Sequence, residues 1–363
     1  MKKYNIIGVM SGTSMDGLDL AHVTLEEQQT GKWGYEITAA KTISYEEKWR
    51  LRLSKLRHQN SLIFYKTDRY YGQYIGECIL DFIEENGLEA DLISSHGHTV
   101  FHQPENNISV QVGDGNSIYG VTGIPTVTNF RALDVILGGE GAPLVGLADS
   151  YLFGEYDMCL NLGGFVNISS NNGSEKVAYD VSPCNIILNR IAREFDQEFD
   201  EGGAIAERGS IDYDLLTALN EIDFYAYEHP KSLGREWISS HFWPLVRKSD
   251  ASKEDKMKTL VDHIAVQIGR SVDDLCGGDA AGKRLYVTGG GAFNSTLMSH
   301  IKSHTEAEIV VPANEVIEYK EALAFALLGI LRIKNQPNIL SSHTGATHDS
   351  ISGSLYGDFS TLV

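Results

Sequence analysis

The apolar positions of this chain fall in short runs, and several of them end in glycine. Tyr4 to Met10 runs into SGTSMDG and is followed by a second apolar run, Leu18 to Leu25. That order predicts strand, glycine-rich turn, strand, and a further strand near Tyr35 to Ala40 completes an antiparallel meander. A long helix is predicted from Leu62 to Glu85, stopped by Asn86-Gly87. Asp91 to Ser95 then reads as a short apolar strand leading into HGHTVFH.

After the turn Gly123-Ile124-Pro125 the order repeats without repeating its residues. The strand Asp157 to Leu162 ends in Gly163-Gly164 and continues as FVNISS, a loop rich in Asn and Gly, and KVAYD. Helices are predicted at about Ile186 to Phe195 and Leu260 to Leu275, and the strand Leu285 to Thr288 ends in GGG. A last helix runs from Glu315 to about Lys334. Strands feeding glycine turns, alternating with helices, predict an α/β protein of two meander-plus-helix halves with a cleft between them. The expected division is 1–128 plus 336–363 against 129–335, the Ser-, Thr- and Gly-rich tail packing back on the first half.

Composition agrees with this and narrows the function. At 363 residues the chain is long enough for two domains, each with its own core. Its 42% hydrophobic and 22% charged residues are globular and not disordered composition. A formal charge of −19 argues against nucleic-acid or anionic-membrane partners, because phosphates repel such a field. The apolar stretch Ala322 to Leu331 is too short to span a bilayer, and MKKYNIIGVMSG reads as a first strand and not as a signal peptide. Cys78, Cys159, Cys184 and Cys276 are scattered and form no CxxC pair, which predicts reduced thiols in a cytosolic protein.

Five constellations have chemical potential. GVMSGTSMDGLD, Gly8 to Asp19, crowds glycines, hydroxyls and carboxylates into one turn, a nest of N–H groups suited to phosphate. Asp16 and Asp19 are placed to orient magnesium through water. The turn is neither a Walker A motif nor GxGxxG. Asn161-Leu-Gly-Gly164 and Gly289-Gly290-Gly291 with Asn294 each follow an apolar strand, where nucleotides bind in α/β folds; each is also compatible with a plain tight turn. Ser95-His96-Gly97-His98-Thr99, with His102 beyond, suggests either a zinc-dependent hydrolase or histidines lining a polar cleft. Asp149, His241 and His263 lack ligand-like spacing to complete a zinc site, so no zinc is expected. Finally, Asp180 in YDVSPCN stands beside the second glycine loop as a general-base candidate, or as a helix cap. Glu321 in EALAFALLGI and the cations of Lys231 to Glu236, KSLGRE, are compatible with solvated positions.

Taken together, these motifs resemble one family, anhydro-N-acetylmuramic acid kinase, of the sugar kinase/Hsp70/actin superfamily with its ribonuclease H-like fold. GVMSGTSMDGLD, SSHGHTVFHQP, VQVGD, NFRALDV, GGEGAPLV, NLGGFVNIS, KSLGRE, VTGGGAFN, EALAFA and HTGA follow in the family's order from Gly8 to about Ala346. The resemblance implies ATP- and magnesium-dependent conversion of 1,6-anhydro-N-acetylmuramic acid to N-acetylmuramic acid 6-phosphate in cell-wall recycling. Water would open the anhydro ring while O6 takes the γ-phosphoryl group, and domain closure would exclude bulk water. By the same resemblance Gly12, Thr13, Ser14, Met15, Asp16, Gly17, Leu18 and Asp19, with Gly163 and Gly164, would hold ATP phosphates. Gly290, Gly291 and Asn294 would lie along the nucleotide. Asp180 matches the catalytic base and Glu321 a carboxylate near the sugar. Arg131 is the candidate for the lactyl carboxylate, and Ser11 and His96 would line the same pocket. A cytoplasmic homodimer is expected.

One segment departs from the family pattern. A DTGPGN-like run is replaced by DVSPCN, so Val181, Ser182 and Cys184 stand where threonine and two glycines are usual. Added Cβ atoms predict either a new loop path or a narrower pocket, and hence a shifted specificity. A kinase for a related anhydrosugar such as levoglucosan, or a catalytically weak sensor, are the alternatives this raises.

Overall fold

The computed structural model describes residues 2–12, 15–28, 33–170, 177–229 and 231–362. Thr13, Ser14 and the Asn- and Gly-rich stretch 171–176 lie outside the described residues. The strands in chain order are β1 (Lys3–Ser11), β2 (Gly17–Glu27), β3 (Trp33–Ser44), β4 (Leu92–Gln103), β5 (Ile108–Val112) and β6 (Thr126–Thr128). They are followed by β7 (Met158–Leu162), β8 (Phe165–Ser170), β9 (Val177–Pro183), β10 (Arg284–Thr288), β11 (Glu308–Val310) and β12 (Ser354–Tyr356).

Two compact units form, Met1–Leu152 with Tyr319–Val363, and Phe153–Glu318. In the first, the sheet runs β12-β6-β4-β1-β2-β3, with β5 paired to β4. The β1–β2–β3 meander is antiparallel, and β4 lies parallel to both β1 and β6. In the second unit the order is β11-β10-β7-β8-β9, with β7–β8–β9 antiparallel and β10 parallel to β7 and β11. Each sheet is therefore a meander whose first strand is followed, on its other side, by two parallel strands. That doubled order is the ribonuclease H-like arrangement of the sugar kinase/Hsp70/actin superfamily.

Local chemistry explains the elements. The Ser61–Asn86 helix starts where the Asn60 side chain accepts from the Ile63 N–H at 3.0 Å, and ends at Gly87 in the left-handed region. The Lys253–Cys276 helix begins earlier than its apolar run suggests, because Ser252 caps it by accepting from Asp255 N–H at 3.1 Å. Its first turns, KEDKMKT, are too polar to show a helical stripe. The apolar run Ala322 to Leu331 is buried in the Asn314–Ile333 helix, which lies against β1 and β4. Gly8 marks the closest approach, since a Cβ there would run into the Ala322 carbonyl oxygen. Beside it Ser94 Oγ donates to the Phe325 carbonyl at 2.5 Å. No helix among the described residues is long and apolar enough to cross a membrane.

The units divide elsewhere than at residues 128 and 336. Residues 129–152 pack with the first unit through buried polar links. Asp134 accepts from Thr344 Oγ1 at 2.7 Å and from Gly141 N–H at 2.8 Å. Lys320 and Asp149 form a buried ion pair at 2.8 Å, which keeps the last helix in the first unit from Tyr319 onward. The tail also returns there, as β12 beside β6. Hydrophobic patterning cannot show such a boundary, because these links are polar and distant in sequence.

Candidate active site

In the first unit, the turn after β1 is fixed from both ends by one tyrosine. Tyr45 OH donates to Ser11 Oγ at 2.7 Å, and Tyr45 N–H donates to the Asp16 carbonyl at 3.3 Å. Ser11 is 1% exposed and its Oγ meets His98 Nδ1 at 2.9 Å. Burial lowers His98 to about 4 and keeps its ring neutral, and Ser11 Oγ, which accepts from Tyr45, has its own proton to donate to Nδ1. The chain of donors then runs Tyr71, Tyr45, Ser11, His98, with the two tyrosine hydroxyls in direct contact. Ser11, expected at the sugar, thus has its hydroxyl engaged inside the unit.

Between these anchors, Met15 N–H donates to the Gly12 carbonyl at 3.3 Å, with Met15 itself at φ 63°. Asp16 is exposed and makes no ion pair among the described residues. Asp19 is half-buried and accepts from Thr42 Oγ1 at 2.7 Å. Both carboxylates suit water-mediated contact with a hard cation. Gly17 packs closely under the Ile43 carbonyl, and the Leu18 side chain is fully buried in the core, leaving only its backbone for any ligand. Thr13 and Ser14 are outside the described residues.

The same unit gathers the other polar candidates. Arg131 donates from Nε to His96 Nε2 at 2.9 Å and from Nη1 to the Gly141 carbonyl at 2.5 Å. His96 must therefore carry its proton on Nδ1, which donates to the Gly97 carbonyl at 2.9 Å. Burial, with Arg131 beside it, lowers His96 well below its usual value and keeps it neutral. Arg131 itself is lowered to about 10 by burial, opposed by Glu321 and Asp134. Its Nη2 has no partner among the described residues. Glu321 is exposed, yet its carboxyl is raised, first by loss of surrounding water and then by Asp19, against the pull of Arg131 and Lys320. An arginine with a donor to spare, within electrostatic reach of a carboxyl, is suited to a polar, carboxylate-bearing ligand.

The histidines that suggested zinc do not converge. Gly97 adopts φ 71° and the β1–β4 register shifts beside it, so the alternation that would put His96 and His98 on one face is interrupted. His102 pairs with Ser109 Oγ at 3.1 Å instead. Among the described residues no group of three His, Cys, Asp or Glu could hold a metal ion.

In the second unit, Asp180 lies within β9 and not at its end, and Cys184, not Asp180, occupies the helix N-cap position. Leu233 N–H donates to Asp180 Oδ2 at 2.8 Å, and Asn167 Nδ2 donates to Oδ1. Asp180 N–H in turn donates to the Lys231 carbonyl at 3.0 Å, so KSLGRE runs beside the strand as a backbone clamp. Burial raises the carboxyl to about 6, opposed by those two donors. A group so tuned is ionised at neutral pH and still basic enough to take a proton.

Two glycine loops meet beside it. Cys184 N–H donates to the Gly164 carbonyl at 2.8 Å and Asn185 N–H to the Gly163 carbonyl at 3.1 Å. Asn185 Nδ2 donates to the Leu162 carbonyl at 3.0 Å. Gly289, at φ 84°, presses against Leu162, where no Cβ fits. Gly290 is exposed and Gly291 buried, and Asn294 caps the Ser295–Ser303 helix by accepting from Leu297 N–H at 2.9 Å. Gly203, at φ 83°, packs under Asn294 Oδ1. Exposed glycine backbone at a helix N-terminus is a place for phosphate or ribose oxygens.

Sequence reasoning missed Tyr45, Asp134, Asn167 and Gly203, and gave Asn185, the last residue of YDVSPCN, no role. Asp134 and Asn167 sit inside motifs already singled out, NFRALDV and FVNIS, and were legible as polar residues in apolar segments. Tyr45 gives no such signal.

The departures at DVSPCN are not placed as expected. Ser182 and Cys184 are fully buried, the Ser182 hydroxyl donates to the Pro183 carbonyl at 3.0 Å, and Cys184 belongs to the hydrophobic core. Neither backbone needs a positive φ; Cys184 has φ −131°. Their side chains add no bulk at the surface beside Asp180, so they supply no basis for a narrowed pocket.

Doubled ribonuclease H-like sheets with glycine loops at the strand ends define the chain as a sugar kinase/actin-type protein. Its closer relations are narrower than that. The profile of the anhydro-N-acetylmuramic acid kinase family matches residues 4–358, and the chain belongs to that family. The anhydro-N-acetylmuramic acid kinases of Vibrio parahaemolyticus and Vibrio cholerae are each 33% identical, covering 96% of this chain and 97% of theirs. That of Saccharophagus degradans is 30% identical over 98% of this chain and 100% of its own. Among solved structures, (R)-2-hydroxyglutaryl-CoA dehydratase component A of Acidaminococcus fermentans covers 90% of this chain and 97% of its own, at 12% identity and TM-score 0.44. That likeness is too loose to bear on fold or function.

Proposed function

We propose that this protein is an ATP-dependent kinase that hydrolytically phosphorylates 1,6-anhydro-N-acetylmuramic acid to N-acetylmuramic acid 6-phosphate, in peptidoglycan recycling. Family membership supports the substrate, and the observation that carries the mechanism is the Asp180 carboxyl, raised to about 6 and held by two donors. A bridged acetal has no free O6 to deprotonate, so the nucleophile is water at the anomeric carbon. Asp180 takes the water's proton as the new C1–O bond forms and the C1–O6 bond breaks. O6 takes the γ-phosphoryl group, and ADP leaves.

In this reading Gly12 to Asp19, Gly163 and Gly164 carry the phosphates, while Gly290, Gly291 and Asn294 lie along the nucleoside. Arg131 meets the lactyl carboxylate, and Glu321 and His96 meet the sugar. Magnesium bound with the phosphates, reached by Asp16 or Asp19 through water, would neutralise charge on the γ-phosphoryl group. The cytoplasm, where ATP is supplied, and assembly as a homodimer belong to the same reading.

Turnover in ¹⁸O-water tests the chemistry. The label is expected on the anomeric hydroxyl and not on the phosphate, read by phosphorus NMR and mass spectrometry of the sugar phosphate. Label in inorganic phosphate alone, with no sugar phosphate from any anhydrosugar supplied, would replace this reading by an ATPase or a sensor.

The Tyr45 anchor gives a second expectation. Tyr45→Phe removes one hydroxyl, with its contacts to Ser11 and Tyr71, and leaves the ring and the backbone bond to Asp16 in place. Losing a buried hydrogen bond costs about 1–2 kcal/mol. Loosening of the turn is expected to raise KM for ATP by roughly fivefold. KM for the sugar should stay near the wild-type value. An unchanged KM for ATP would remove Tyr45 from any role in holding the turn.

A further inference from the structure

Side chains alternate along a strand, so the neighbours of Asp180 in β9 face away from its carboxylate. Tyr179 and Val181 line a cavity of about 510 Å³ inside the second unit. Lys231 lines it too, the residue whose carbonyl accepts the Asp180 N–H. Two residues on, Leu233 N–H holds the carboxylate. The strand that carries the base, and the start of the Lys231–Leu233 segment that holds one of its oxygens, therefore form part of this cavity's wall, whereas Asn167, which holds the other oxygen, does not.

The wall chemistry points to a ligand class. His229 stacks on Tyr179 with ring centroids 5.4 Å apart and planes at 14°, and the exposed Tyr227 adds a further ring. Lys231 Nζ donates to the Tyr227 carbonyl at 3.0 Å. Arg270 is exposed at the cavity and has no partner among the described residues. Glu228 and Asp274 oppose the two cations, so the wall carries no net excess of positive charge for a phosphate or polycarboxylate. Tyr179 is buried beneath His229, and the exposed rings of His229 and Tyr227 match the C–H faces of a pyranose, while guanidinium and carboxylate groups match its hydroxyls.

We propose that this cavity is a second ligand site, for an uncharged saccharide of one or two pyranose rings, whose occupancy acts on Asp180 through Tyr179 and Lys231. The coupling rests on Asp180 being the catalytic base; the binding does not. An occupant braces the Lys231–Leu233 backbone against β9 and so favours the position in which Asp180 receives its proton.

Calorimetric titration of the full chain with N-acetylglucosamine and its β-1,4-linked disaccharide tests the site. Saturable binding is expected, weakened roughly tenfold in Arg270→Ala or Tyr227→Ala and unchanged in Glu321→Gln. At saturation the probe should raise kcat by about twofold in the wild type and leave kcat of Arg270→Ala unaltered. No saturable binding, or binding untouched by both cavity substitutions, would overturn the site. Binding lost in Glu321→Gln would do the same, by locating the probe with the substrate. Binding without any change in kcat would overturn the coupling. If no anhydrosugar is turned over at all, the base assignment fails while the titrations still decide whether the cavity binds.

Discussion

Asp180→Asn is expected to lower kcat about 10²–10⁴-fold, the usual cost of losing a general base, while ATP binding changes little. Asn matches Asp in size but cannot take the water's proton. It also has one acceptor oxygen for two donors, Leu233 N–H and Asn167 Nδ2. A flip of the Asn167 amide restores the second contact, so the thermal midpoint should shift only slightly. Wild-type kcat/KM should rise with pH as the carboxyl, raised to about 6, loses its proton, and that limb should be missing in the variant. Initial rates on either side of that value, with binding of a fluorescent ATP analogue, check both parts. Near-normal turnover in Asp180→Asn would move the base elsewhere, with Glu321 the next candidate.

Lys320→Met should be the most destabilising single change considered. Lys320 and Asp149 are each 5% exposed, with Nζ and Oδ1 2.8 Å apart. Removing one partner leaves the other's charge buried, which typically costs about 3–5 kcal/mol. The double variant Asp149→Leu/Lys320→Met removes both charges and is expected to recover most of that loss, since apolar replacement of a buried pair is often neutral or better. Unfolding midpoints in urea for the singles and the double measure the coupling directly. Singles within about 1 kcal/mol of the wild type would show that water or another group relieves the stranded charge. Because Lys320 precedes Glu321 in the same helix, the singles should also raise KM for the sugar more than KM for ATP.

Much of this molecule is legible in one sequence. The two strand–glycine turn–strand openings, the Asn86-Gly87 stop and the strand ending in GGG are local features, set by apolar runs and by residues that cap or turn the backbone. So is the burial of Ala322 to Leu331, because ten nearly continuous apolar positions leave a helix no polar face. The motif order from GVMSGTSMDGLD to HTGA also stands in the sequence, and so therefore does the family.

What only the tertiary structure decided is which groups those elements bring together. Asp180 was recognisable as a candidate base, but its tuning depends on a backbone N–H at Leu233 and an amide on β8, neither of which local pattern connects to it. Ser182 and Cys184 drew attention as lost glycines, yet the register shift between Asp180 and Ser182, and the core behind the strand's end, bury both side chains. His96 and His98 share a motif but not a partner, because Gly97 interrupts the pleat between them. The boundary at Leu152 follows from polar links at Asp134 and Asp149 that have no periodicity to betray them. Hydrophobic pattern and capping act within a few residues of the chain and fix element type. Side-chain direction, burial and charge state arise from contacts across tens to hundreds of residues, and only the packed structure sets them.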